Sequence, residues 1–148
     1  MMTQVAHDAS NPVGAPALDG VAPYVATFGR LLLAAIFLIS GFGKLTAAAG
    51  TIGYIAQAGL PAPTLAYAVA LIVELGGGAL LVLGYRTRLV AAALALFSLV
   101  TAFAFHASFG DQNQTIHLLK NIAIAGGLLQ VVAFGAGSFS LDAKGARG

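Results

Sequence analysis

The sequence contains no cysteine and no tryptophan, and its 148 residues include only 7 Lys or Arg and 5 Asp or Glu. Without cysteine, disulfides, thiol relays and cysteine-ligated metal centres are excluded within the chain. A soluble domain carries about a quarter charged residues. At 8% charged, this chain cannot cover a water-facing surface of ordinary character. The net charge of +2 comes with no dense basic patch, which argues against nucleic acid as a partner. What is abundant is apolar: hydrophobic residues make up 59% of the chain. That excess needs lipid as its solvent. The length suits one domain.

A bilayer core of roughly 30 Å is crossed by about 20 apolar helical residues. Four segments meet that standard, at about Pro23–Leu45, Thr64–Gly84, Leu89–Ala107 and Ile116–Gly135. The expected fold is all-α, a transmembrane four-helix bundle over residues 23–142. Residues 46–60 are apolar but short, and Ile52, Ile55, Ala56 and Gly59 recur at helical spacing. They predict a short amphipathic segment at the membrane surface, or a tucked-in loop lining the bundle. Residues 1–22 lack the basic start and apolar run of a secretory signal, with Asp8 and Asp19 as their first charges. They read as a disordered tail, and residues 143–148 as a second tail. Arg86 and Arg88 fall between spans two and three, Lys144 and Arg147 after span four, while 46–63 and 108–115 hold no Lys or Arg. Basic residues gather on the cytoplasmic side. This predicts both termini inside, with Lys44 running mildly against it.

Ionisable residues within spans are costly and mark sites. Here they are Arg30, Lys44, Glu74, His106, His117 and Lys120. Arg30, Ala34, Phe37, Gly41 and Lys44 share one face of the first span, and His117, Lys120 and Asn121 share one face of the fourth. Ser98, Thr101 and His106 form a broader polar sector on the third. Glu74 stands alone near the middle of the second. At about 1.5 Å per residue, its depth lies within roughly 5 Å of Arg30, so Arg30 and Lys120 are its candidate partners. Glu74 is either a structural ion pair or a binding and proton-handling group, and the two roles are compatible. Lys44 and His106 are read at the interface, where amphipathic side chains reach water. Interfacial hydrogen bonding is the favoured reading of His106 and His117. A metal or haem pair ranks below it, even with Asp111 nearby, and no metal site is expected. The glycines at 41, 43, 76–78, 126 and 127 are expected to let helices approach closely.

The run RLLLAAIFLISGFGKL, the solitary Glu74 in VELGGGALLVLG, Arg86 with Arg88, FAFH, and HLLKNIAIAGGLL together resemble the DoxX family over about residues 25–142. The resemblance implies a bacterial inner-membrane protein, similar to DoxD, a membrane subunit linked to thiosulfate:quinone oxidoreductase. It maps the family's recurrent polar positions onto Arg30, Lys44, Glu74, His106, Lys120 and Asn121.

The leading expectation is a redox-associated membrane subunit that binds a quinone or small anion in a polar pocket within the bundle. Glu74 and His106 would handle protons, and Arg30, Lys44, Lys120, Asn121 and His117 would hold the ligand. With no cysteine and no dinucleotide fingerprint, electrons would come from a bound cofactor or a soluble or membrane redox partner. Catalysis by the chain alone is therefore left open, as is a homo-oligomer. A small proton-coupled transporter and a membrane anchor for a soluble enzyme are the alternatives.

Overall fold

The computed structural model describes residues 20–107 and 109–146. Most of the expected 1–22 tail, and residues 147 and 148 of the expected 143–148 tail, lie outside the described residues. Helix α1 (Ala22–Thr46) opens with proline in its first turn, where the missing N–H has no intrahelical partner to lose. Helix α2 (Ala48–Gln57) follows after a one-residue break. The second span, Pro63–Leu83, is composite. It consists of α3 (Pro63–Leu71), a π-helical stretch (Ile72–Gly77) and α4 (Gly78–Leu83). Helices α5 (Thr87–His106) and α6 (Gln112–Phe134) form the third and fourth spans, and α7 (Leu141–Gly145) ends the described chain. All four spans are long and apolar enough to cross a membrane. No strand occurs among the described residues. The fold is the expected four-helix bundle.

Ala34, Phe37, Leu81, Leu94, Ala125 and Leu128 form the buried centre. Ile39, Ile72, Leu96 and Leu129 point outward and are exposed, as a lipid-facing surface requires. Gly41 and Gly78 show why small residues sit between spans. A Cβ on Gly78 would lie 2.9 Å from Leu38, and one on Gly41 would lie 2.8 Å from Leu75. Nothing lies within 4 Å of the corresponding positions at Gly43, Gly76 and Gly126. The packing role expected of those three is therefore absent, because their helix faces look away from neighbouring spans. Helix α2 combines the two sequence alternatives. It is helical, and it also tucks Ile55 into the bundle, where that residue is buried.

One end of the bundle is tied by polar contacts. Arg30, 2% exposed, donates from Nη1 to the carbonyls of Leu81 (2.8 Å) and Val82 (3.0 Å). Its Nη2 donates to the Phe139 carbonyl at 2.7 Å. The last carbonyls of α4 lack intrahelical partners, and Arg30 supplies them. Gly84 ends α4 at φ +65, and a Cβ there would strike both the Arg30 guanidinium and Ser140. Glycine is thus required twice, for its conformation and for its lack of volume.

On the same end, the Asp142 carboxylate accepts from the Arg86 and Thr87 amides at 2.7 and 2.8 Å. This caps α5 from a distant part of the chain and holds Arg86 in the left-handed region at φ 44. The Thr87 amide, helped by that of Arg86 and by the charge of Arg30, keeps the Asp142 carboxyl below its ordinary pKa. A depressed carboxyl contributes stability above its unfolded pKa of about 4 and loses it as pH falls through the folded value. Asp142→Ala should therefore cost about 1 kcal/mol at neutral pH. That cost should shrink towards zero in thermal melts taken progressively below about pH 4. A cost that does not change with pH would mean that the carboxylate charge is not what caps α5.

Candidate functional site

Glu74 sits within the π-helical stretch, and single π turns inside α-helices concentrate at functional sites. The wider turn inserts one residue into the helical register, so Glu74 and Leu75 meet α1 where Gly41 leaves room. Glu74 is 5% exposed. Its Oε1 accepts from Lys44 Nζ at 2.9 Å and from Ser40 Oγ at 3.1 Å. Lys44 also donates to Ser40 Oγ at 2.7 Å. The Tyr67 hydroxyl donates to the Lys44 carbonyl at 3.2 Å and ties the second span to the end of α1. Glu74 Oε2 is buried and receives no hydrogen bond from the protein.

The ion pair departs from the expected one. Neither Arg30 nor Lys120 holds Glu74, and Lys44 does not reach outward as an interfacial side chain. Helical side chains lean towards the N-terminus of their helix. That lean carries Lys44 down from the last turn of α1 to Glu74. The same lean carries Arg30 away from Glu74, onto the carbonyls at the opposite end.

Glu74, Ser40 and Lys44 border a cavity of about 420 Å³ lined also by Ser98, Thr101, His106, Lys120 and Asn121. The remaining wall is aliphatic and aromatic, with Phe37, Phe97, Tyr54 and Phe105 among its members. Tyr54 of α2 stacks on Phe105 of α5, with ring centroids 5.4 Å apart, and this pair roofs the cavity. Val69 of α3 and Val100 of α5 line it too, yet they are 48% and 57% exposed. The π-helical stretch and α4 pack on α5, whereas α3 draws away from it. The cavity therefore reaches the lipid-facing surface between α3 and α5.

A second polar cluster lies nearer the α2 end. His106 Nδ1 is 2.7 Å from Gln114 Oε1. The His106 and His117 rings stack with centroids 5.1 Å apart, and Lys120 Nζ lies 3.1 Å from His117 Nδ1. Asn121 Nδ2 donates to the His117 carbonyl at 3.1 Å. Asp111 accepts from the Asn113 and Gln114 amides, capping α6. Among the described residues, no three His, Cys, Asp or Glu side chains are grouped to share a metal ion.

Of the seven residues singled out from sequence, Glu74, Lys44, His106, Lys120 and Asn121 border the cavity. His117 contacts it through Lys120 and His106, and Arg30 lies apart. Ser40, Tyr67, Gln114 and Asp142 escaped the sequence reading. Ser40, four residues before Lys44, is the one that helical spacing could have found.

Comparison with known proteins agrees with this architecture. The DoxX family model matches residues 25–107. Over 113 residues the chain is 37% identical to the inner membrane protein YqjF of Escherichia coli (strain K12), covering 76% of this chain and 85% of that protein. Over 127 residues it is 35% identical to the inner membrane protein YphA of the same organism, covering 82% and 91%. No solved structure matches the chain. With four membrane-spanning helices, the family match and relatives at this level of identity, the chain belongs to the DoxX family of integral membrane proteins.

Proposed function

We propose that this protein binds a membrane-soluble quinone in the cavity beside Glu74 and acts as the membrane subunit of a redox system whose electrons come from a partner protein. The observation that carries this reading is the buried carboxylate itself. One oxygen is fixed by Lys44 and Ser40, the other is buried without a hydrogen-bond partner, and the residue borders a cavity with largely apolar walls. Ligand sites typically combine such walls with a few convergent polar groups. The opening between Val69 and Val100 suits a ligand that partitions into the bilayer. His106 and Lys120 lie on the route from Glu74 to the α2 end and suit proton exchange with water. Arg86, Arg88 and Lys144 gather at the opposite end, and their number supports reading that end as the cytoplasmic one. The α2 end then faces the periplasm, with its cluster of two histidines and Lys120. Lys44, Glu74, Lys120 and Asn121 are the ligand-holding residues in this reading, and Arg30 is a structural tie.

Purification in mild detergent, followed by an absorption spectrum and mass spectrometry of extracted small molecules, tests this. A quinone is expected to co-purify in near-stoichiometric amount. Its absence, combined with solute flux in reconstituted liposomes, would replace this reading with transport.

A further inference from the structure

Charge is unevenly shared along the cavity wall. Its charged members are Lys44, Lys120 and Glu74. Lys44 and Glu74 neutralise each other at 2.9 Å. Lys120 has no such partner. Beyond Glu74, the acidic residues among the described ones are Asp111 and Asp142. Asp111 caps α6 through the Asn113 and Gln114 amides. Asp142 lies at the opposite end of the bundle, on the Arg86 and Thr87 amides. The Lys120 ammonium meets His117 Nδ1 at 3.1 Å. An ammonium can only donate, so that nitrogen accepts, and the ring brings no negative charge. The other polar members of the wall are uncharged or carry no negative charge. Asn121 gives one amide hydrogen to the His117 carbonyl and keeps the other. Ser98 and Thr101 donate to the Leu94 and Phe97 carbonyls and keep lone pairs. Tyr54 adds a hydroxyl that can donate or accept, and His106 is held through Nδ1 by Gln114 Oε1. The wall therefore carries one positive charge in excess, and it sits on α6.

We infer that the cavity takes a ring bearing a single negative charge, an ionised hydroxyquinone, in preference to the uncharged quinone, with the anionic oxygen on Lys120 and Asn121. This rests on the proposal that a quinone-type molecule is the ligand. The position of the cation fits such a guest. Helix α6 packs on α5 and lightly on α1, whereas the lipid-facing opening lies between Val69 of α3 and Val100 of α5. Lys120 and Asn121 thus stand across the cavity from the opening. A head group that reaches them leaves its tail trailing back into the bilayer. Between largely apolar walls, an ammonium attracts an anion more strongly than it does in water, and hydrogen bonds to an ionised oxygen are roughly twice as strong as neutral ones. One negative charge brings the wall to neutrality. In an ionised hydroxyquinone that charge is spread by conjugation over the hydroxyl oxygen and a ring carbonyl, so the Lys120 ammonium and the Asn121 amide can each meet part of it. Glu74, already paired with Lys44, contributes no attraction for an anion, and the preference belongs to α6.

The test is calorimetric titration of the protein, solubilised in an uncharged detergent, with a naphthoquinone carrying a ten-carbon tail. Three forms are compared at neutral pH: the plain quinone, the same ring with a hydroxyl beside the tail, which is ionised, and the methyl ether of that hydroxyl, which is not. The ionised form is expected to bind about tenfold or more tightly than either of the others. Lys120→Met is expected to bring the three within about twofold of one another, and Lys120→Arg to keep a preference of about fivefold or more. Equal wild-type affinity for all three would overturn the inference while leaving quinone binding intact. A preference for the ionised form that survives Lys120→Met would also overturn it, by placing the attracting charge elsewhere. Binding of none of the three would remove the proposed function together with this inference. The ether comparison uses only wild-type protein, so a failure of a variant to fold does not blunt the test.

Discussion

Replacing Arg30 with methionine is expected to destabilise the bundle by about 3–5 kcal/mol, the range for removing one partner from a buried, hydrogen-bonded charged site. The substitution keeps an unbranched apolar stem, so little volume is lost. What is lost is the guanidinium that satisfies the carbonyls of Leu81, Val82 and Phe139. Those carbonyls belong to three structural statements at once: the end of α4, the turn at Gly84 and the approach of α7. Arg30→Lys should recover less than half of the loss, because an ammonium is a point donor and cannot span sites that a planar fork reaches. The measurement is denaturant unfolding in detergent followed by helical circular dichroism. Quinone affinity of the folded fraction should stay near the wild-type value. Wild-type stability combined with lost binding would make Arg30 a ligand-holding residue instead.

The contrast between Arg30 and Lys44 also explains what the sequence conveys about this site. The spans are legible because a run of about 20 apolar residues has few alternatives to crossing a bilayer. Residues 23–45 and 64–84, read from the sequence, differ from Ala22–Thr46 and Pro63–Leu83 by one residue at each end. The importance of Glu74 is equally legible, because a lone carboxylate in an apolar span has to be explained. Its partner is not. Estimating depth from Cα positions puts Arg30 near Glu74 and Lys44 at the surface. Side-chain lean reverses that order, and the reversal depends on rotamers that a sequence does not display. The π-helical stretch Ile72–Gly77 is hidden for a related reason. One extra residue in a turn leaves composition and hydropathy unchanged, and only the fit of Glu74 and Leu75 against Gly41 gives it away. Asp142 is hidden because its partners, the amides of Arg86 and Thr87, lie more than 50 positions away in the chain. Backbone donors carry no sequence signal at that range.

Lys44→Met is expected to destabilise the bundle by about 3–5 kcal/mol, because it leaves the Glu74 carboxylate buried without its cation. Glu74→Gln should cost less, since Lys44 is 28% exposed in its side chain and can turn towards water. The double variant should therefore be more stable than the sum of the two single losses predicts, with a coupling of about 2 kcal/mol. The same cycle with Lys120→Met should give coupling below about 0.5 kcal/mol, because Lys120 contacts His117 and not Glu74. A larger coupling to Lys120 than to Lys44 would contradict the ion pair described here. The cycle also separates stability from binding. In the wild type, Lys44 and Ser40 hold Oε1 and so fix the carboxylate beside the cavity. A double variant that has regained stability still lacks that fixed carboxylate, and its quinone affinity should fall about tenfold. Stability restored without binding is the outcome that assigns the pair its two roles: register between α1 and the second span, and a fixed carboxylate beside the ligand.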